Sequence, residues 1–97
     1  MNTAICAAIL KRAVVEFTYE GRTRMVEPYA HGISAAGNEV LRGYQTGGAS
    51  QSGEPVAWKL FAVAEIINFR ETRDTFTQSQ LGYNPNDRGM STVHCHV

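Results

Sequence analysis

Residues 14–22 are Val-Val-Glu-Phe-Thr-Tyr-Glu-Gly-Arg, and this stretch indicates the fold class most directly. From Val14 to Tyr19, large apolar side chains alternate with polar ones, which is the period-two pattern of a strand with one buried face. Glu20 and Gly21 then supply a two-residue turn, although glutamate suits the positive φ of such turns less well than asparagine. The stretch therefore predicts an antiparallel hairpin.

Upstream of this hairpin, the spacing of the apolar residues changes to that of a helix. Thr3 is a candidate N-cap, and Lys11 and Arg12 lie where positive charge favours a helix C-terminus. The residues at helical spacing are Ile5, Ala8, Ile9 and Ala13. We expect a short amphipathic helix at the start of the chain.

Downstream of the turn, extended segments recur between turns rich in glycine. Pro28 suggests a bulge or an edge, Gly43 suggests a bulge or a close approach, and Thr46–Glu54 is expected to form a mobile loop. Closing the sheet would remove its exposed edges, so we predict a mainly β fold: an N-terminal helix and a small SH3-like or Sm-like antiparallel barrel of about five strands. The segments after the turn are Arg22–Ile33, Glu39–Gln45, Val56–Val63 and Ile66–Thr72.

The length of 97 residues fits one domain. We expect the barrel and its helix to occupy residues 1–76. Residues 77–97 are more polar and are predicted to form a C-terminal extension. Within it, Tyr83–Asp87 is typical of a turn or loop, and Met90–Val97 can form a final strand.

Charge and cysteine content indicate the compartment and exclude some partners. Nine basic and nine acidic residues balance, so no overall field favours nucleic acid or an anionic membrane. The apolar run Ala4–Leu10 is far shorter than the roughly 20 residues that span a bilayer, and no signal-peptide pattern is evident. These two observations predict a cytoplasmic protein without a membrane partner. Cys6 and Cys95 form no CxxC pair, which indicates neither a disulfide framework nor a zinc knuckle, so we predict reduced thiols.

Motifs for catalysis or metal binding are weak in this sequence. Gly48–Gly53 has the glycine spacing of a phosphate-binding loop, but Glu54 stands where that motif requires lysine. His94–His96 carries metal-type side chains, yet on a strand Cys95 points away from both histidines. No acid–base pair is evident. We therefore predict no enzyme activity, no metal site and no cofactor.

Aromatic and basic residues on and beside the strands form the remaining candidate site. Small barrels bind single-stranded nucleic acid or nucleotides by stacking rings on bases and placing cations at phosphates. Core aromatics beside solvated arginines would give the same pattern. The residues predicted to bind a ligand are Arg22, Arg24, Arg42, Tyr44, Trp58 and Lys59.

From Ile5 to Phe76 the sequence resembles the WYL domain, in a short free-standing form. The matching runs are Phe17-x-Tyr19-x-Gly21, Arg24-Met-Val-Glu-Pro28-Tyr29, Gly37-x-x-Val40-Leu41-x-Gly43-Tyr44 and Trp58-Lys59-Leu60-Phe61 with Ile66. Glu39-Val40 stands where that family has its Trp-Tyr pair. The resemblance implies an SH3-like or Sm-like barrel and a role in bacterial transcription regulation, through sensing of nucleic acid or nucleotide-like ligands.

Two functions from different classes follow. The first is a sensor or binding module for single-stranded nucleic acid or a nucleotide-like anionic ligand, using the six residues above. The alternative is a protein interaction module that joins copies of itself or a separately encoded regulatory partner, with its rings buried in the interface. Exposure of Tyr44 and Trp58 would favour the first function.

Overall fold

A computed structural model of the chain describes residues 2–48 and 57–97. Within these residues, one helix precedes six strands, and a short 3-10 turn at Val63–Glu65 separates the fourth strand from the fifth. In chain order the elements are α1 (Thr3–Lys11), β1 (Ala13–Tyr19), β2 (Arg22–Ile33), β3 (Glu39–Gly48), β4 (Ala57–Ala62), β5 (Ile67–Thr75) and β6 (Thr92–His96). The predicted helix and mainly β composition are confirmed. The strand predicted at the end of the chain is confirmed as β6.

The N-terminal helix begins one residue earlier than the sequence pattern indicated. The side chain of Asn2, not that of Thr3, caps α1 by accepting a hydrogen bond from the Ile5 amide at 3.1 Å. Arg12 follows the helix in the left-handed conformation with φ of 53°, and β1 starts directly after it. This sharp reversal of the chain lets α1 pack against the sheet that begins with β1.

The six strands form one antiparallel sheet in the order β4-β3-β2-β1-β5, with β6 paired to β2. The hairpin predicted at residues 14–22 is confirmed: Tyr19 pairs with Arg22, and Glu20 and Gly21 take φ values of 53° and 75°. Strand β2 is long enough for two partners on one edge. It pairs with β1 up to Val26 and with β6 from Ala30 onward.

The structure does not show the predicted closed barrel: the sheet is open, and no ladder joins β4 to β5 within the described residues. At the end of β4, the Ala62 amide donates to Tyr19 Oη of β1 at 2.9 Å, although these two strands are not neighbours in the sheet. Closure is only one way to protect an edge. Strand β5 protects its edge with register shifts against β1 and with charged side chains, both of which discourage pairing with other chains.

Apolar clusters cover both sides of the sheet. On the helix side, α1 packs on strand residues that include Val15, Phe17 and Phe61. On the opposite side, residues 76–91 lie across the strands without forming a helix or strand of their own, and we call them the covering segment. This segment side has its own cluster, in which Tyr29 and Phe76 are buried.

Three sequence features of the loops and strands have different outcomes. Gly43 marks a close approach, as predicted: an added Cβ would lie 2.4 Å from Val26 Cγ1. The register between β2 and β3 shifts just after Pro28, where a bulge was expected. The loop expected at Thr46–Glu54 is partly strand, since β3 continues to Gly48, and its remainder lies outside the described residues.

The prediction of reduced thiols is wrong, because Cys6 and Cys95 form a disulfide. The pairing of β6 with β2 beside the helix brings the two Cα atoms to 5.7 Å across a sequence separation of 89 residues. That proximity depends on long-range topology, which cysteine spacing in the sequence does not encode. Within the described residues, the structure contains no helix with the length and apolarity to cross a membrane.

Candidate functional site

The six residues predicted to bind a ligand lie on different sides of the sheet. Tyr44 and Trp58 pair across β3 and β4, and their rings lie on the segment side with Arg42. Lys59 follows Trp58 on the same strand and therefore points to the helix side. Arg24 is also on the helix side, where its guanidinium packs on core rings. These residues cannot form one continuous surface.

The guanidinium of Arg24 is enclosed within the fold. The residue is 2% exposed, and its Nη2 donates to the Tyr19 carbonyl and to Glu20 Oε1, both at 3.2 Å. It lies over the rings of Tyr19 and Phe61, with its carbon Cζ 5.2 and 5.9 Å from their centroids. Arg24 thus holds the first hairpin against the core. Arg22 is exposed at the end of that hairpin.

A pocket of about 260 Å³ opens on the segment side of the sheet. Strands β3 and β4 supply one wall, through Arg42 and Trp58. The covering segment supplies the opposite wall through Gly82, Tyr83, Asn84 and Asp87. The pocket therefore depends on the packing of an irregular segment against a regular sheet.

Trp58 has the largest ring at this pocket, and contacts with three residues hold it in place. Its indole Nε1 donates to the Leu81 carbonyl at 2.9 Å, which ties β4 to the covering segment. Tyr83 stacks on the indole at a centroid distance of 6.1 Å and an interplanar angle of 25°. Tyr44 meets the same indole edge-on at 5.2 Å. Because Trp58 is half-buried, part of its surface remains available to a ligand.

Gly82 is required beside this indole for two reasons. Its φ is +93°, a backbone conformation that residues with a side chain rarely adopt. An added Cβ would also lie 3.0 Å from Trp58 Nε1. Glycine at this position lets the covering segment approach closely enough for the Leu81 carbonyl to accept its hydrogen bond.

Arg42 and Asp87 form the polar edge of the pocket. Asp87 accepts from Arg42 Nε at 2.6 Å and from Nη2 at 3.0 Å, and the Gly89 amide also donates to it at 2.8 Å. The hydrogen bond from Arg42 lowers the pKa of Asp87 below its ordinary value, although burial acts in the opposite direction. The carboxylate stays ionised at neutral pH and offsets the charge of Arg42 within the pocket.

Tyr29 lies beneath the pocket and supports both of its rings. Its ring centroid is 4.8 Å from that of Trp58 and 5.0 Å from that of Tyr83. Burial raises the pKa of Tyr29 to about 12, and a hydrogen bond to Glu27 acts in the same direction while one from the Gln80 amide opposes it. The phenol therefore stays neutral at physiological pH. In this form it donates a hydrogen bond to Glu27 and accepts one from the Gln80 amide of the covering segment.

The sequence analysis missed the half of the pocket that the covering segment supplies. These four residues fall in or beside Tyr83–Asp87, which was predicted only to form a turn or loop; they are Gly82, Tyr83, Asn84 and Asp87. A tyrosine next to asparagine, proline and aspartate was the available signal, because a ring in a polar loop needs a surface to pack on. Within the residues that the structure describes, no group of three or more histidine, cysteine or acidic side chains could hold a metal ion.

Comparisons with protein-family models, curated proteins and solved structures find no match to this chain. The similarity to WYL domains, drawn from the residues alone, stays a prediction.

Proposed function

We propose that this chain is a non-catalytic binding module that takes the planar ring of a nucleotide-like ligand, free or at the end of a single-stranded nucleic acid, into the pocket beside Trp58. The observation that carries the proposal is the convergence of two stacked rings, Trp58 and Tyr83, with a guanidinium in one pocket. Aromatic faces that stack on a base, together with a cation near its phosphate, are the usual elements of such sites.

The size of the pocket supports a single ring system as the part that enters. Its volume of about 260 Å³ lies just below the usual range of small-molecule pockets, roughly 300 to 1,000 Å³. A base fits such a space, whereas the rest of a nucleotide would extend into solvent. We therefore propose recognition of one base at a time, with no groove that follows a strand.

The charge of the pocket favours recognition of the ring over recognition of the phosphate. Asp87 engages Nε and Nη2 of Arg42, so an anionic group would meet mainly the remaining nitrogen, Nη1. Because Arg24 is buried and Lys59 is on the other side of the sheet, neither adds a phosphate contact here. The salt dependence of binding should correspond to about one phosphate contact or fewer.

The biological role in this proposal, a sensor in bacterial regulation, comes from the resemblance to WYL domains. The predicted cytoplasmic location is also part of the proposal. The SH3-like or Sm-like relationship also belongs to the proposal. A regulatory partner, or a second copy of the chain, would respond to the occupied pocket.

The test uses the fluorescence of Trp58, the only tryptophan in the chain. Nucleoside monophosphates and short single-stranded oligonucleotides are titrated against the wild type, Tyr83→Ala and Tyr83→Phe. We expect saturable binding by the wild type, a loss of about 1–3 kcal/mol for Tyr83→Ala, and near-wild-type affinity for Tyr83→Phe, which keeps the ring.

Absence of any saturable change in the wild type would contradict the proposal. The interaction-module alternative would then take its place, and sedimentation of the protein over a range of concentrations would test for self-association. Equal binding by all three proteins would show that a ligand binds elsewhere than beside Tyr83.

A further inference from the structure

We propose that the Cys6–Cys95 disulfide is a redox control of the pocket beside Trp58, in which reduction loosens the two rings and lowers the affinity for the ligand. The inference rests on the proposed function for its affinity effect. Reduction should also make the Trp58 ring more mobile in the free protein, an effect that does not require a ligand.

The strand that carries Cys95 is weakly held apart from the disulfide. Strand β6 has five residues, four of them exposed, and within the described residues it pairs only with β2. Its ladder contains a register shift between His31 and Gly32. Short, exposed edge strands open locally at low free-energy cost. The covalent bond to the buried Cys6 of α1 is therefore the strongest restraint on this strand.

A chain of contacts leads from this disulfide to the pocket. Val97, two residues beyond Cys95, donates its amide to the Tyr29 carbonyl at 2.9 Å and packs against the cluster that contains the Tyr29 ring. That ring in turn contacts Trp58 and Tyr83. When β6 opens, Val97 leaves Tyr29, and the ring that supports Trp58 and Tyr83 loses one of its own contacts.

A dithiol can carry out the redox step with balanced atoms and electrons. Its thiolate attacks Sγ of the half-buried Cys95, and Cys6 leaves as a thiolate. The second thiol of the reductant then releases Cys95 from the mixed disulfide. Two electrons pass from the dithiol to the cysteine pair, each protein sulfur gains a proton, and the dithiol becomes a cyclic disulfide.

A redox-active disulfide is compatible with the proposed cytoplasmic location. Persistent structural disulfides are rare in the reducing cytosol, and those found there usually have redox-sensing or catalytic roles. A pair that alternates between disulfide and thiols would report the redox state of its compartment through the pocket.

The experiment compares the oxidised protein with protein reduced by dithiothreitol. Acrylamide quenching of Trp58 is measured without ligand, and nucleotide affinity is measured in parallel. We expect stronger quenching and an affinity lower by on the order of tenfold after reduction. The double variant Cys6→Ala/Cys95→Ala should resemble the reduced protein and should not respond to dithiothreitol.

Two variants with the disulfide intact test the contact chain directly. Val97→Ala removes the contact with the Tyr29 cluster and should increase Trp58 quenching in the oxidised protein. Val93→Ala, at a residue 42% exposed on the same strand, should not. Because both variants keep the disulfide, this comparison tests the contact between Val97 and the Tyr29 cluster even if the reduced protein unfolds.

The possible outcomes distinguish this inference from the proposed function. Unchanged quenching on reduction, or equal quenching in Val97→Ala and Val93→Ala, would overturn the redox control. If the oxidised protein binds no nucleotide, the proposed function fails, while the quenching result still decides whether the disulfide orders the pocket.

Discussion

At the scale of single residues, the pair of Arg42 and Asp87 determines how the pocket is held together. Asp87 has a side chain only 9% exposed and receives donors from both the sheet and its own segment. A carboxylate in such a position needs its cation, because an unpaired buried charge is strongly unfavourable. The pair therefore anchors the covering segment to β3 as well as setting the charge of the pocket.

Replacing this carboxylate should cost stability in a pH-dependent way. Asp87→Asn is expected to lower the free energy of unfolding by about 1–3 kcal/mol at pH 7, since charged hydrogen bonds are lost. The folded pKa of Asp87 is below its ordinary value of 3.8, so the stabilisation is present above that pH and is lost as pH falls through the folded value. Chemical denaturation at several pH values measures the difference.

The control for this prediction is Asp74→Asn, because Asp74 is exposed. It should change stability by less than about 0.5 kcal/mol at any pH. If Asp87→Asn destabilised the protein equally at pH 3 and pH 7, the ion pair would not be the source of the effect.

Residue patterns alone could have separated the predicted site into two groups. Trp58 and Lys59 are neighbours on a strand and must point to opposite sides of the sheet, so a single surface could never contain both. The contribution of Tyr83 could not be derived in the same way. Its position depends on where an irregular segment crosses the sheet, and local sequence does not specify that path.

At the scale of elements, the covering segment is unusual in having no regular secondary structure while carrying half of the pocket. Its polar groups find partners on the sheet: the Gln80 amide donates to Tyr29 Oη at 2.8 Å, and the Leu81 carbonyl accepts from Trp58. Long loops that pack in this way are often functional. The segment supplies the second wall that turns this side of the sheet into a pocket.

The predictable elements were those with strong local periodicity. Helix α1 and the first hairpin follow from apolar spacing and turn residues, and both are confirmed. Two features were not predictable: that the end strands β4 and β5 stay unpaired with each other, and that β6 pairs with β2. Both depend on contacts between residues far apart in the chain.

The helix start provides a direct test at this scale. Asn2→Ala should lower the free energy of unfolding by about 1 kcal/mol, because the Ile5 amide loses its acceptor. Thr3→Ala removes a side chain inside the first turn and should cost less than half as much. Thermal unfolding of the two variants compares them, and a larger loss for Thr3→Ala would mean that the cap is assigned to the wrong residue.

At the scale of the whole molecule, the disulfide joins the first element to the last. Through α1 and β6 it encloses nearly the whole sheet in one covalent loop, with a sequence separation of 89 residues. Loops of this length restrict the unfolded chain strongly. A single cross-link thus contributes to the stability of all six strands.

Removing this cross-link should destabilise the entire fold. Cys6→Ala/Cys95→Ala is expected to lower the free energy of unfolding by about 2–5 kcal/mol, as native disulfides in small domains commonly contribute. Denaturant titration of the oxidised wild type and the double variant measures this difference. Identical midpoints would show that the wild-type cysteines are not bonded in solution.

The most direct test of the pocket as the binding site is an amide and indole chemical-shift titration of the oxidised protein with a nucleoside monophosphate. We expect saturable shifts at the Trp58 indole N–H and at the amides of Tyr83 and Asn84, and none at the hairpin residues Arg22 and Arg24. Shifts centred on the hairpin, or no saturable shift at Trp58, would show that the pocket is not the binding site.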